Sequence, residues 1–116
     1  MKISYIFPGQ GSQSPNMGFE FIEKYDEAKQ LINEANDRLS FNIQDVLKDE
    51  NLLSQTKFAQ PAILFVSSLI NKIFQNQTRI TPIFSLGHSL GEFSALVSVG
   101  ALDIVDAMEL VYKRGE

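Results

Sequence analysis

Cysteine is absent from the 116 residues, which excludes disulfides and thiolate metal sites and suits a reducing compartment. Histidine occurs once, as His88, so a single imidazole is available to act as a general base. Basic runs are missing as well. The 10 Lys and Arg residues are scattered among 14 Asp and Glu, for a net charge of −4. Nothing in that distribution would track phosphates, so no nucleic-acid partner is expected. No apolar run nears the ~20 residues that span a bilayer. The opening stretch from Met1 to Pro8 is too short for a signal-peptide core and has no small-residue cleavage site. These absences point to a cytoplasmic protein with no membrane partner. Internal repeats and low-complexity tracts are lacking too.

What is present is the balance of an ordinary globular domain, 44% hydrophobic and 21% charged, at a length that suits one domain with a modest core. Ile3 to Phe7 is a short β-rich run ended by Pro8-Gly9, which predicts a buried strand. Gly9 to Gln13 reads as a loop and Met17 to Tyr25 as a short helix. Ala28, Leu31, Ile32, Ala35 and Leu39 recur at helical spacing, predicting an amphipathic helix over Asp26 to Leu39. Asn42 to Ser54 is mixed, with room for one or two helical turns. A longer helix starts near Thr56, with Pro61 near its first turn, where proline is tolerated. Its apolar face is Ala62, Val66, Leu69, Ile70 and Ile73, and it ends in the polar stretch Gln75 to Thr78. Pro82 to Leu86 reads as a second strand. A helix follows directly, from Ser89 or Leu90 to Val99, and Gly100 stops it as a left-handed residue would. Asp103 caps a last helix with Val105, Met108, Val111 and Tyr112 on its apolar face.

The order strand, helices, strand, helix, helix predicts an α/β fold with a right-handed parallel crossover. Two strands are few for a stable sheet, and the last helix meets the chain end without a stop signal. Both features lead to the expectation that the chain is part of a larger domain.

Gly87-His88-Ser89-Leu90-Gly91 matches G-x-S-x-G. At a glycine usage of about 7%, with serine taken as similar, chance gives the pattern in roughly 3 of 10,000 windows. Its setting sharpens it further. An apolar strand precedes it and a helix follows, as at a nucleophile elbow, where a tight turn lifts the Ser hydroxyl to the C-terminal edge of the sheet. The two glycines let strand and helix approach closely, and the free N–H groups of the new helix favour developing negative charge. The loop Gly9-Gln10-Gly11-Ser12-Gln13 follows the first strand and so opens at the same edge. Two readings of it stand: a glutamine donor for an oxyanion, or a flexible glycine-rich turn. If the last two helices are antiparallel, Arg114 returns towards Ser89. There it could clamp a carboxylate through two hydrogen bonds, or simply complement its helix dipole in solvent. His88 adjoins the nucleophile on the turn. Adjacent turn residues point in different directions, so His88 is expected to line the site or pack nearby rather than take the Ser89 proton.

Taken together, Phe7 to Gln13 resembles the opening signature of malonyl-CoA:acyl-carrier-protein transacylases, and Gly87 to Leu96 resembles their nucleophile motif. Thr56 to Ala62 is similar to the family's Gln-Pro-Ala segment, with Gln60 in the matching place. Lys113-Arg114-Gly115 resembles the segment holding the substrate arginine. The resemblance runs over the whole chain, and residues 1–116 would form the N-terminal part of the transferase domain. It implies a partial α/β-hydrolase-like acyltransferase core with the ferredoxin-like subdomain absent. Ser89 would carry the malonyl group from malonyl-CoA as an ester. The backbone N–H groups of Gln10 and Leu90 would form the oxyanion hole. Arg114 would pair with the malonyl carboxylate, with Gln60 and His88 lining the pocket. The thiol of acyl carrier protein would accept the acyl group in fatty acid biosynthesis, and no cofactor or metal is implied. The family's histidine base lies well downstream of residue 116, so this chain alone is expected to turn over poorly. Two alternatives compete. A serine hydrolase would need an Asp and then a His after Ser89, and no His follows it. A non-catalytic protein that only binds an acyl carrier protein or a partner subunit would retain carrier binding, in the first case, when Ser89 is replaced.

Overall fold

The computed structural model describes residues 2–116. Two strands, β1 (Ser4–Phe7) and β2 (Phe84–Gly87), pair in parallel with Ser4 opposite Phe84 and Phe7 opposite Gly87. Five helices fill the crossover between them: α1 (Phe19–Lys24), α2 (Asp26–Arg38), α3 (Ile43–Lys48), α4 (Glu50–Leu53) and α5 (Thr56–Thr78). After β2 come α6 (Gly91–Ser98) and α7 (Ile104–Arg114). The α/β class and the parallel pair are as the sequence predicts.

The mixed stretch after Asn42 resolves into two short helices because each start carries its own cap. Asn42 Oδ1 accepts from the N–H groups of Gln44 and Asp45, and Asp49 Oδ1 from those of Asn51 and Leu52. Asp103 does the same for α7, accepting from Val105 and Asp106. Gly100 ends α6 at φ +78°. Its N–H bonds Val97 O at 3.0 Å and that of Ala101 bonds Leu96 O at 2.9 Å, the paired pattern of a left-handed helix stop.

The core lies among the helices. Ile43, Leu47, Leu64, Phe65, Leu69, Met108 and Val111 are fully enclosed, joining α3, α5 and α7 over the buried face of α2. Phe41, Phe58 and Tyr112 close one end as an aromatic trio with centroids 4.9 to 5.8 Å apart.

Four expectations need correction. The first strand is not buried: only Phe7 is enclosed, and Ile6 is 78% exposed. Alternation explains this. Tyr5 and Phe7 face the helices, and Tyr5 meets Phe74 of α5 edge-on. Ile6, Phe84 and Leu86 share the opposite face, which no helix covers. Second, Pro61 is the sixth residue of α5, in its second turn. A missing N–H there leaves the Lys57 carbonyl without its usual donor, yet the helix continues. Third, on α5 the core face is narrower than predicted, for Val66 is only partly buried and Ile70 is exposed. Fourth, α6 begins at Gly91 rather than at Ser89 or Leu90, for a reason that belongs to the site. The Ser98 hydroxyl of α6 lies 2.9 Å from Ser85 Oγ and 2.7 Å from Ala95 O. A carbonyl only accepts, so Ser98 gives its proton to Ala95 and receives that of Ser85.

Candidate active site

Both strands end at one edge, and three backbone segments meet there. Ser89 has φ +55°, a left-handed conformation that costs a residue with a Cβ about 1–3 kcal/mol. It cannot be the first residue of a right-handed helix, so α6 starts two residues later. The Gly91 N–H bonds His88 O at 3.0 Å and the Glu92 N–H bonds Ser89 O at 3.0 Å, which tightens the turn. Glycine is required on both sides of it. A Cβ on Gly87 would fall on the backbone of Gly91, and one on Gly91 would fall on the Phe7 carbonyl. Ser89 itself stands exposed at the apex.

The Gly9–Gln13 loop packs against this turn. A Cβ placed on Gly9 would lie 2.5 Å from His88 O and 3.7 Å from Ser89 Cβ. The loop is pinned by its own bonds: Ser12 Oγ to Gly9 O at 2.8 Å, the Gly11 N–H to Gln13 Oε1 at 2.7 Å, and Gln13 Nε2 to Leu53 O at 3.2 Å. Among the described residues, neither the Gln10 nor the Leu90 backbone N–H donates to a protein acceptor.

Arg114, at the end of α7, lies beside α6 and α5. Its guanidinium carbon sits 4.8 Å from the ring centre of Phe93, one helical turn after Ser89. Its Nη2 donates to Gln60 Oε1 at 3.2 Å. Gln60 is buried, its Nε2 lies 3.5 Å from Gln10 Oε1, and Gln10 Nε2 donates to Thr56 Oγ1 at 3.1 Å. No ion pair among the described residues uses Arg114, so its charge is free to meet an incoming anion. His88 is exposed, and its backbone links the end of the strand ladder to the turn.

Two contributors escaped sequence reasoning as site residues. Thr56 was visible as a helix start and as the first residue of the segment matching the family, but not as a partner of Gln10; it precedes Gln60 by four residues and so shares its face. Phe93 was visible only as part of the motif. Its place under Arg114 depends on how α7 folds back.

Residues 4–116 match the acyl transferase domain family. The chain belongs to that family. The chain is 45% identical over 117 residues to a malonyl CoA-acyl carrier protein transacylase of Bacillus subtilis strain 168, covering 99% of this chain and 37% of that relative. It is 37% identical to the Staphylococcus aureus (strain COL) protein of the same name, again covering 99% of this chain and 37% of the relative. It superposes on the crystal structure of the Streptococcus pneumoniae enzyme with a TM-score of 0.92 at 41% identity, over 98% of this chain and 37% of that one. A type II polyketide malonyl-transacylase, solved in complex with its acyl-carrier protein, gives a TM-score of 0.92 at 35% identity, over 99% of this chain and 38% of that one. The chain thus spans little more than a third of the length of these relatives. Among its described residues, no helix is long and apolar enough to cross a membrane.

Proposed function

We propose that this chain carries the acyl-accepting serine of a malonyltransferase that moves malonyl from malonyl-CoA to the phosphopantetheine thiol of acyl carrier protein. The observation that carries the reading is Ser89 itself, held at φ +55° between a strand and a helix and set beside the Gly9–Gln10 loop. In the first step Ser89 Oγ attacks the thioester carbonyl and the carbon–sulfur bond breaks. The serine proton passes through a base to the departing CoA thiol. In the second step the carrier thiol attacks the malonyl ester and Ser89 recovers its proton. The Gln10 and Leu90 N–H groups receive the oxyanion in both steps, and losing one such donor typically costs about 100- to 1000-fold in rate. Arg114 takes the malonyl carboxylate, and Gln60 and His88 line the pocket.

We do not assign the base to His88, because adjacent residues on a tight turn carry their side chains in different directions. These 116 residues hold no other histidine, so the chain by itself turns over slowly. Intact mass after incubation with malonyl-CoA tests the nucleophile: a malonyl adduct is expected on the wild-type chain and none on Ser89→Ala. Equal labelling of both overturns the assignment. Free imidazole is expected to accelerate adduct formation by supplying the missing base. Sustained, imidazole-independent transfer to acyl carrier protein would overturn the statement about His88.

A further inference from the structure

Four side chains form a one-way series of hydrogen bonds: Arg114 to Gln60, Gln60 to Gln10, Gln10 to Thr56. Its direction is dictated by chemistry. Arginine only donates, so Gln60 must present its oxygen to Arg114 and its NH₂ group to Gln10. Gln10 must then present its own oxygen to Gln60 and its NH₂ group to the Thr56 hydroxyl. Each amide is thereby locked in one of its two orientations. Gln60, at 8% exposure, uses both ends of its amide. The guanidinium carbon lies 4.8 Å from the Phe93 ring centre, a contact that favours a cation without neutralising it.

We propose that Phe93 and Thr56 are positioning residues, and that the series makes the carboxylate-binding arginine and the oxyanion loop one mechanical unit. This rests on the malonyltransferase reading. Phe93 fixes the plane of Arg114. Thr56 anchors the far end, holding the Gln10 side chain on α5 so that its backbone N–H keeps facing the elbow. Substrates that engage Arg114 therefore meet a pre-set oxyanion donor. Acyl groups without a carboxylate leave the arginine end unused.

The test uses the 116-residue chain and two measurements. By NMR, the Arg114 side-chain protons are expected upfield of random-coil arginine, with the shift lost in Phe93→Leu and kept in Phe93→Tyr. By calorimetry, the wild-type chain is expected to bind malonyl-CoA more tightly than acetyl-CoA. Phe93→Leu and Thr56→Val each lower that preference by roughly three- to tenfold through weaker malonyl-CoA binding alone. Phe93→Tyr and Thr56→Ser restore it. Thr56 is exposed at the start of α5 and caps nothing, so its variants report on the series rather than on folding. A wild-type preference that survives Phe93→Leu and Thr56→Val overturns the inference alone. Equal binding of the two thioesters by the wild-type chain overturns the carboxylate role of Arg114, and the inference with it. Random-coil shifts for Arg114 overturn its seat on Phe93.

Discussion

A residue that must be strained to work offers a direct measurement of what its position costs. Ser89 holds a left-handed backbone because the chain must turn from strand to helix in the three residues between Gly87 and Gly91. Glycine adopts that conformation freely, so Ser89→Gly is expected to stabilise the fold by about 1 kcal/mol while removing the proposed nucleophile. Urea unfolding checks this, and a lower midpoint for the variant would count against strain at the site. Arg114 illustrates the complementary point, charge kept available. Its side-chain partners are a neutral amide and a ring face. Gln60→Glu would give it a permanent carboxylate partner and strip Gln10 of its donor. The expected result is a loss of preference for malonyl-CoA over acetyl-CoA with little change in thermal stability, read by calorimetry and a melt. At this scale the sequence was informative wherever chemistry sits in a motif. Ser89, Gln10, Leu90, Gln60 and Arg114 could all be named from spacing and resemblance. Phe93 and Thr56 could not, because their roles arise from which helices become neighbours.

At the scale of elements, the elbow is a crossing of backbones with no room for side chains. Gly87 lies against Gly91, and Gly91 against the end of β1. Gly87→Ala would force backbone against backbone, which no rotamer change can relieve. A loss of about 3 kcal/mol or more is expected, enough to unfold much of a small domain. Far-UV circular dichroism through a thermal melt would register it, and a near-wild-type melt would refute the crossing. Most element positions were legible because caps and stops are local: Asp103, Gly100 and the periodicity of α2 and α7 each act within a few residues. Burial was less legible. A run such as Ile3 to Phe7 looks alike whether one face or both are covered, and only the placement of α5 and α6 decides it. Pro61 shows a second limit, since the rule that proline sits in a first turn gave way to a helix held by its packing.

For the whole molecule, the uncovered sheet face is the dominant surface feature. Ile6, Phe84 and Leu86 stand side by side, each at least half exposed, and the sheet has only two strands. Contiguous apolar surface and unpaired strand edges promote association. The isolated chain is expected to self-associate as concentration rises, and Ile6→Lys to shift sedimentation towards the monomer without altering the helical signal. Monomeric sedimentation of the wild-type chain at high concentration would argue that the face is harmless.

The hydroxyl pair of Ser85 and Ser98 joins residues only 13 apart in sequence, whereas the β1–β2 ladder joins residues 80 apart. Strand, turn and helix around Ser89 can therefore close on themselves as a short ring, at small entropic cost. The packed turn is a different matter, because the Phe7 carbonyl that meets Gly91 and the Gly9 loop that meets His88 and Ser89 arrive only with the long crossover. Assembly thus has two stages written into its distances along the chain: the elbow's frame is a local event, and its packing is a late one.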